Sequence, residues 1–345
     1  MTAADPRTSP PGTEAAPGVT PGTATPDHRA AAEEAAAFAH APVPPDATAA
    51  YGPHPDQVVD FYRPRRPVIP GRPAPLVALF HGGAWRAAFD RTHVSPLAAH
   101  LAAHGFAVAS VEYRRGGAPQ DAEQAQPAGR AEWAPETAAN ASAARQTAEP
   151  SPSGPPPAGR WPDTFDDVAV ALDALPALAV RALGADTVDP RRTVLSGHSA
   201  GGHLALWAAA RHVLPPESPW HRPSPPPLRG VVALAPIADF TSAIRLRVCS
   251  DAVLDLLGGP DHLTARIPHA DPAALIPTGI ATTIVHGTTD NVVPPQVSAA
   301  FVRAAAAAGE EPTAAWLPAT GHFPLIDPSS PACAAVADEI AQLAW

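Results

Sequence analysis

Gly197-His198-Ser199-Ala200-Gly201 carries the clearest chemical meaning in this chain. It follows the strand-like Arg192-Thr193-Val194-Leu195 and precedes the apolar stretch Gly202 to Val213. A G-x-S-x-G spacing between a strand and a helix reads as a nucleophile elbow, a turn so tight that glycines must flank it. Such a turn lifts the serine hydroxyl off the sheet, at a helix N-terminus whose dipole favours negative charge. A serine hydroxyl is a weak nucleophile, so the motif has chemical content only if a base and oxyanion donors come from elsewhere.

Both are present in a workable order. In hydrolases built on this elbow the acid follows the serine and the histidine follows the acid. Ile284-Val285-His286-Gly287-Thr288-Thr289-Asp290-Asn291-Val292-Val293-Pro294 offers Asp290 on a turn after a strand. Leu317-Pro318-Ala319-Thr320-Gly321-His322-Phe323 offers His322 after the next strand. Ser199 then attacks a carbonyl, His322 takes and returns the proton, and Asp290 fixes the His322 tautomer. The oxyanion needs preorganised N–H groups. Ala200, just past the nucleophile, supplies one. Gly83 and Ala84, in the turn Phe80-His81-Gly82-Gly83-Ala84-Trp85, supply the others, with His81 and Trp85 bracing the loop.

Other residues compete for these roles. Asp239 is a rival acid from an earlier strand end, and Asp327 reads as a helix-start contact. His198 and His203 flank the serine but read as structural, and His286 as packing beneath the Asp290 turn. His100 and His104 share a helix face but lack a third ligand, so no metal site is expected. No dinucleotide or phosphate loop follows a strand, so no cofactor is expected. Trp85, Trp207 and Phe323 are candidate pocket linings, with Trp207 equally readable as core.

The elements that must hold these residues alternate in type. Asp56 to Tyr62 and Leu76 to Phe80 read as strands, Thr92 to His104 as a helix closed by Gly105, and Phe106 to Tyr113 as a strand. A helix from about residue 163 carries Phe165, Val168, Leu172 and Leu175 on one face, and Pro176 is expected to kink or end it. Beyond the elbow come strands at Gly230 to Leu234, Thr282 to His286 and Thr313 to Leu317. Helices are expected at Pro295 to Ala308 and Pro331 to Leu343. Ser242 to Leu257 reads as a helix able to cover the site. Alternation of this kind implies an α/β fold: a mostly parallel central sheet with helices on both faces, binding ligand at the strand carboxyl ends.

The chain has 345 residues, of which 47 are proline, and the prolines cluster. Residues 1–45 are expected to be a disordered Ala/Pro-rich tail, with one candidate helix at Asp27 to Ala41. Residues 46–345 are expected to form the domain, with a disordered insertion at 116–159 and a Pro-rich loop at 215–227. A formal charge of −10 with only 23 Lys and Arg argues against nucleic acid as partner. No basic-then-apolar leader and no run near the ~18 apolar residues of a membrane span is seen, so a cytoplasmic protein without membrane partners is expected. The two cysteines, Cys249 and Cys333, read as free thiols.

His-Gly-Gly-x-Trp, Gly-His-Ser-Ala-Gly-Gly, His-Gly-x-x-Asp-x-x-Val-Pro and Gly-His-Phe, in that order, resemble the α/β-hydrolase superfamily. Within it the chain resembles the esterase/lipase branch that holds the kynurenine formamidases and the feruloyl/acetyl-xylan esterase-like hydrolases. The resemblance covers about residues 51 to 345 outside the two insertions. Ala84 stands where the formamidases usually carry a larger residue, and Pro324 where relatives often show Asp. The resemblance implies a serine hydrolase acting on a small-molecule ester or amide. The alternatives are an N-formylkynurenine formamidase (arylformamidase) and, in another class, a non-catalytic hydrolase-fold binding protein.

Overall fold

The computed structural model describes residues 26–66, 69, 71–116, 159 and 161–345. Among them eight strands make one sheet: β1 (Ala47–Ala50), β2 (Val58–Tyr62), β3 (Ala74–Phe80), β4 (Ala107–Val111), β5 (Val188–His198), β6 (Leu228–Leu234), β7 (Thr282–Gly287) and β8 (Thr313–Leu317). Their spatial order is β1-β2-β4-β3-β5-β6-β7-β8. β2 runs antiparallel to both neighbours, and every other pairing is parallel.

The helices are α1 (Pro26–Phe38), α2 (Ser95–Ala103), α3 (Asp163–Leu183), α4 (Ala200–Ala209), α5 (Phe240–Arg245), α6 (Ala252–Leu256), α7 (Leu263–Ala270), α8 (Pro295–Ala307) and α9 (Pro331–Ala344). They cover both faces. All seven residues of β3 are buried, as a two-sided parallel strand requires. Its side chains alternate between two cores: Leu76, Ala78 and Phe80 join Phe165, Leu204 and Trp207 of α3 and α4. Val77 and Leu79 join Leu97, Leu101, Val336 and Ile340 of α2 and α9.

The order of strands decides where a site can form. The chain steps from β3 outward to β4, then returns to the other side of β3 as β5. Helices therefore leave the carboxyl ends of β3 and β5 in opposite directions, opening a crevice there. The His81–Trp85 turn follows β3 and Ser199 follows β5, so both face that crevice.

The structure departs from the sequence reading in three places. α3 continues through Pro176, because Leu172, Leu175, Ala179 and Leu183 on either side are buried against the sheet. Tertiary packing there outweighs one lost backbone hydrogen bond. The expected tail to residue 45 is ordered from Pro26. α1 packs against the turn after His322, Ala37 is buried, and His40 Nε2 lies 2.7 Å from Asp327 Oδ1. Residues 1–25 lie outside the described residues. The expected helix over Ser242 to Leu257 is two short helices, split where Arg247, Cys249, Ser250 and Asp251 take positive φ. The 215–227 segment, read as a Pro-rich loop, has no regular element, and its Trp220 is buried against Trp161, Phe165 and Trp207.

The expected disordered insertion falls outside the described residues except at its ends. There the amides of Gly116 and Gly159 both donate to the Trp85 carbonyl, at 2.9 and 2.7 Å.

Candidate active site

β5 ends at His198, and Ser199 follows with φ 57° and ψ −118°. That backbone is costly for a residue with a side chain and persists only where the surroundings enforce it. A Cβ on Gly197 would lie 2.3 Å from the Gly201 carbonyl oxygen, and one on Gly201 only 2.1 Å from that of Phe80. No side chain fits either position. Ala200 opens α4, so its N–H is among those a helix leaves without an internal partner.

The turn after β3 lies against this elbow. A Cβ on Gly82 would be 3.3 Å from the Ser199 Cβ. Gly83 and Ala84 have φ of 98° and 51°. Their amides meet no backbone or side-chain acceptor among the described residues. The turn is held from below. His81 Nδ1 donates to the Gly82 carbonyl at 2.9 Å and its Nε2 lies 2.7 Å from Glu112 Oε1. The Tyr113 ring stacks on it at 4.3 Å, and the Tyr113 hydroxyl donates to the His81 carbonyl at 2.8 Å. Glu112 also receives the Arg91 amide at 2.9 Å and pairs with Arg115. Burial pushes the Glu112 carboxyl up, but His81 and Arg115 outweigh it and hold it at about 2. A carboxylate thus anchors the loop whose amides are free.

The other half of the site comes from β7 and β8. Asp290 Oδ1 accepts from the amides of Val292 and Val293, both at 2.9 Å. Its Oδ2 accepts from His322 Nδ1 at 2.6 Å and lies 3.2 Å from His286 Nε2. Burial acts against the Asp290 charge, yet His322 and His286 outweigh it and hold the carboxyl well below the usual range. With Nδ1–H committed to Asp290, Nε2 of a neutral His322 ring is the basic nitrogen. A Cβ on Gly287 would stand 2.2 Å from the Thr320 carbonyl oxygen, so only glycine lets the two loops approach this closely.

Ser199, His322, Gly83 and Ala84 line one cavity of about 240 Å³. Among the described residues no hydrogen bond joins Ser199 Oγ to His322 Nε2. Such contacts often close only when substrate is bound. Asp290 stands behind His322, and Ala200 lies buried behind Ser199. The rival acids are occupied elsewhere: Asp239 caps α5 through the Ser242 amide, and Asp327 accepts from Ser329 and His40. His286 bonds Ser298 Oγ and the Val293 carbonyl beneath the Asp290 turn.

Sequence reasoning missed several neighbours. His198 is more than scaffolding: its ring lies 4.3 Å from that of His322, and its Nε2 donates to the His322 carbonyl at 3.0 Å. Burial and the adjacent His322 charge push its pKa far down, so it is a neutral donor. α1 forms one wall. Glu34 and Phe38 line the cavity, and Phe38 packs on Phe323 with ring centroids 5.5 Å apart. Glu33 accepts a hydrogen bond from the Gly321 amide, beside His322. Only a helix without a readable partner signalled this. Of the three aromatic candidates, Phe323 lines the cavity. Trp85 packs on His203 and Phe240, and Trp207 on Phe165. Cys249 also lines it, with burial pushing its thiol up to about 11.

Comparison with known proteins bears on the fold. The BD-FAE family model matches residues 158–304, which span the elbow and the Asp290 turn. A tributyrin phosphonate-inhibited esterase B from Lactobacillus rhamnosis superposes with TM-score 0.64 at 19% identity, covering 92% of both chains. The chain has the α/β-hydrolase fold. Two further structures share that α/β-hydrolase architecture. A truncated carbohydrate esterase from gut microbiota has TM-score 0.60 at 17% identity, covering 88% of this chain and 99% of that one. Thermogutta terrifontis esterase 2 with bound propionate has TM-score 0.55 at 19% identity, covering 86% and 92%. No curated protein sequence matches the chain significantly. Among the described residues no helix is long and apolar enough to cross a membrane.

Proposed function

We propose that this chain is a serine carboxylesterase acting on a small ester through an acyl-enzyme. The observation that carries the reading is the 2.6 Å bond from His322 Nδ1 to Asp290, with His322 lining the same cavity as Ser199 and the two turn residues whose amides are unengaged. In this reading Ser199 Oγ bonds to the ester carbonyl carbon as His322 Nε2 takes its proton. The oxyanion is received by the amides of Gly83, Ala84 and Ala200. The C–O bond then breaks, and the departing alcohol takes the proton from His322. A water repeats the sequence, giving its proton to His322 and its oxygen to the acyl carbon; Ser199 recovers its proton and the carboxylic acid leaves. Every group in the cycle belongs to the chain, so the reading needs no cofactor or metal. The two free thiols support a reducing, cytoplasmic compartment.

The bound molecules named for the neighbours, a tributyrin phosphonate and propionate, support short acyl esters as the class to try first. The structures compared above are described as esterases, which leaves the formamidase alternative resting on the His81–Trp85 turn alone. Labelling with a fluorophosphonate tests the mechanism: wild type is expected to form an adduct at Ser199, and Ser199→Ala none. Absence of the adduct from folded wild type refutes the esterase and favours a non-catalytic binding protein. A far higher kcat/KM for N-formylkynurenine than for 4-nitrophenyl butyrate would replace the ester with the formamide.

A further inference from the structure

Arg86 follows directly on the turn that carries Gly83 and Ala84, and its side chain lines the same cavity as Ser199 and His322. That side chain is only 16% exposed. Among the described residues its Nε and Nη2 are buried without a hydrogen-bond partner. Those two nitrogens form one edge of the guanidinium, the side-on fork whose spacing matches the two oxygens of a carboxylate. Among the described residues the nearest anion, Asp255 Oδ2, stands 3.7 Å from Nη2, which is ion-pair range but beyond a hydrogen bond. A buried cation with its best donor edge unpaired is costly to maintain, and native structures leave few such edges without a reason.

The surroundings restrict what can fill that edge. Cys249, on the loop between α5 and α6, shares the cavity and feels the Arg86 charge. Phe89, Val292 and Phe323 supply apolar walls, and Glu34 is the acidic group on the α1 side. A ligand that extends from Ser199 thus meets an apolar channel with the Arg86 side chain in its wall, whose two unpaired nitrogens a carboxylate reaches by a shift of that flexible side chain.

We propose that Arg86 binds a carboxylate carried by the substrate, so that the preferred ester is one half of a dicarboxylic acid. The inference rests on the esterase reading for the word ester, and the binding of a carboxylate stands apart from it. Arg86 acts on specificity by direct contact with the part of the substrate that does not react. An anion held there anchors the scissile carbonyl between Ser199 and the turn amides, so the benefit falls mainly on kcat/KM for the charged ester.

The test compares 4-nitrophenyl hemisuccinate with 4-nitrophenyl butyrate, matched in acyl length but charged and neutral, on wild type, Arg86→Met and Arg86→Lys. The ratio of kcat/KM, charged over neutral, is expected to fall at least tenfold in Arg86→Met. Arg86→Lys, a point charge without the fork, should recover part of the loss. A ratio within twofold of wild type in both variants overturns the proposal and leaves Arg86 as a partner of Asp255. A second measurement does not depend on turnover: monoethyl succinate binding, followed by ligand-observed NMR, in Ser199→Ala with and without Arg86→Met. Weaker binding by at least tenfold on loss of Arg86 supports the inference. Equal binding, or none in either protein, refutes it. If neither ester is turned over, the esterase reading fails, and the binding arm alone decides the role of Arg86.

Discussion

Gly287→Ala is the sharpest probe of how the acid and base are brought together. A methyl group there would lie 2.2 Å from the Thr320 carbonyl oxygen and 2.5 Å from that of Gly321. Both obstacles are backbone, so no rotamer change relieves them. To restore ordinary contact at about 3.5 Å the two loops must separate by on the order of 1 Å. Gly287 precedes Asp290 by three residues, and Thr320 precedes His322 by two. The separation therefore falls on the 2.6 Å bond between Asp290 and His322. Misplacement of this size costs roughly 100-fold in rate. Overpacking against rigid backbone costs about 1–3 kcal/mol in stability. The assay is the second-order rate of fluorophosphonate labelling, measured beside Tm. Gly309→Ala serves as the control: its φ of 85° strains an alanine, but no atom lies within 4 Å of the added carbon. It is expected to lose stability and keep its labelling rate. If Gly287→Ala labels within threefold of wild type, the approach of these two loops is not what aligns the base, and the argument from Gly287 fails.

Other perturbations have defined outcomes. His198→Phe keeps a ring against His322 but removes the donor to its carbonyl; labelling is expected to slow about tenfold, with stability down by about 1–3 kcal/mol for the unpaired buried carbonyl, and a wild-type rate would show that His198 does not position His322. Glu112 has a folded pKa of about 2 against an ordinary value of 4.5. Its ionisation thus contributes stability that is fully present above pH 4.5 and lost as pH falls toward 2, on the order of 3 kcal/mol. Glu112→Gln should flatten that acid limb in a series of urea midpoints, and an unchanged limb refutes the assignment. Phe38→Ala removes part of the α1 wall on Phe323; KM for 4-nitrophenyl butyrate is expected to rise several-fold with kcat nearly constant, as for contacts equal in ground and transition states. A fall in kcat alone would contradict a wall role.

Much of this protein is legible in one dimension because it is local. The glycines at 197 and 201 mark a turn that excludes side chains, and the alternation of strands and helices implies a parallel sheet from short-range pattern alone. Ser199, Asp290 and His322 stand out because each sits at the end of a strand visible in the sequence, in the chain order that hydrolases built on this elbow share. What only the tertiary structure decided is what meets across long chain separations. Nothing local reveals that α1 would supply Glu33 to Gly321, Glu34 and Phe38 to the cavity, or that Glu112 would hold His81 beneath the oxyanion turn. The same holds for Pro176, where packing on the sheet outweighs a strong local helix breaker. Most telling is Arg86: by composition it is one more surface cation, and only the closure of the fold around it buries its fork beside Ser199. Burial and partnership depend on every segment that packs against a residue, so side chains whose role is to face a ligand stay hidden until the chain is folded.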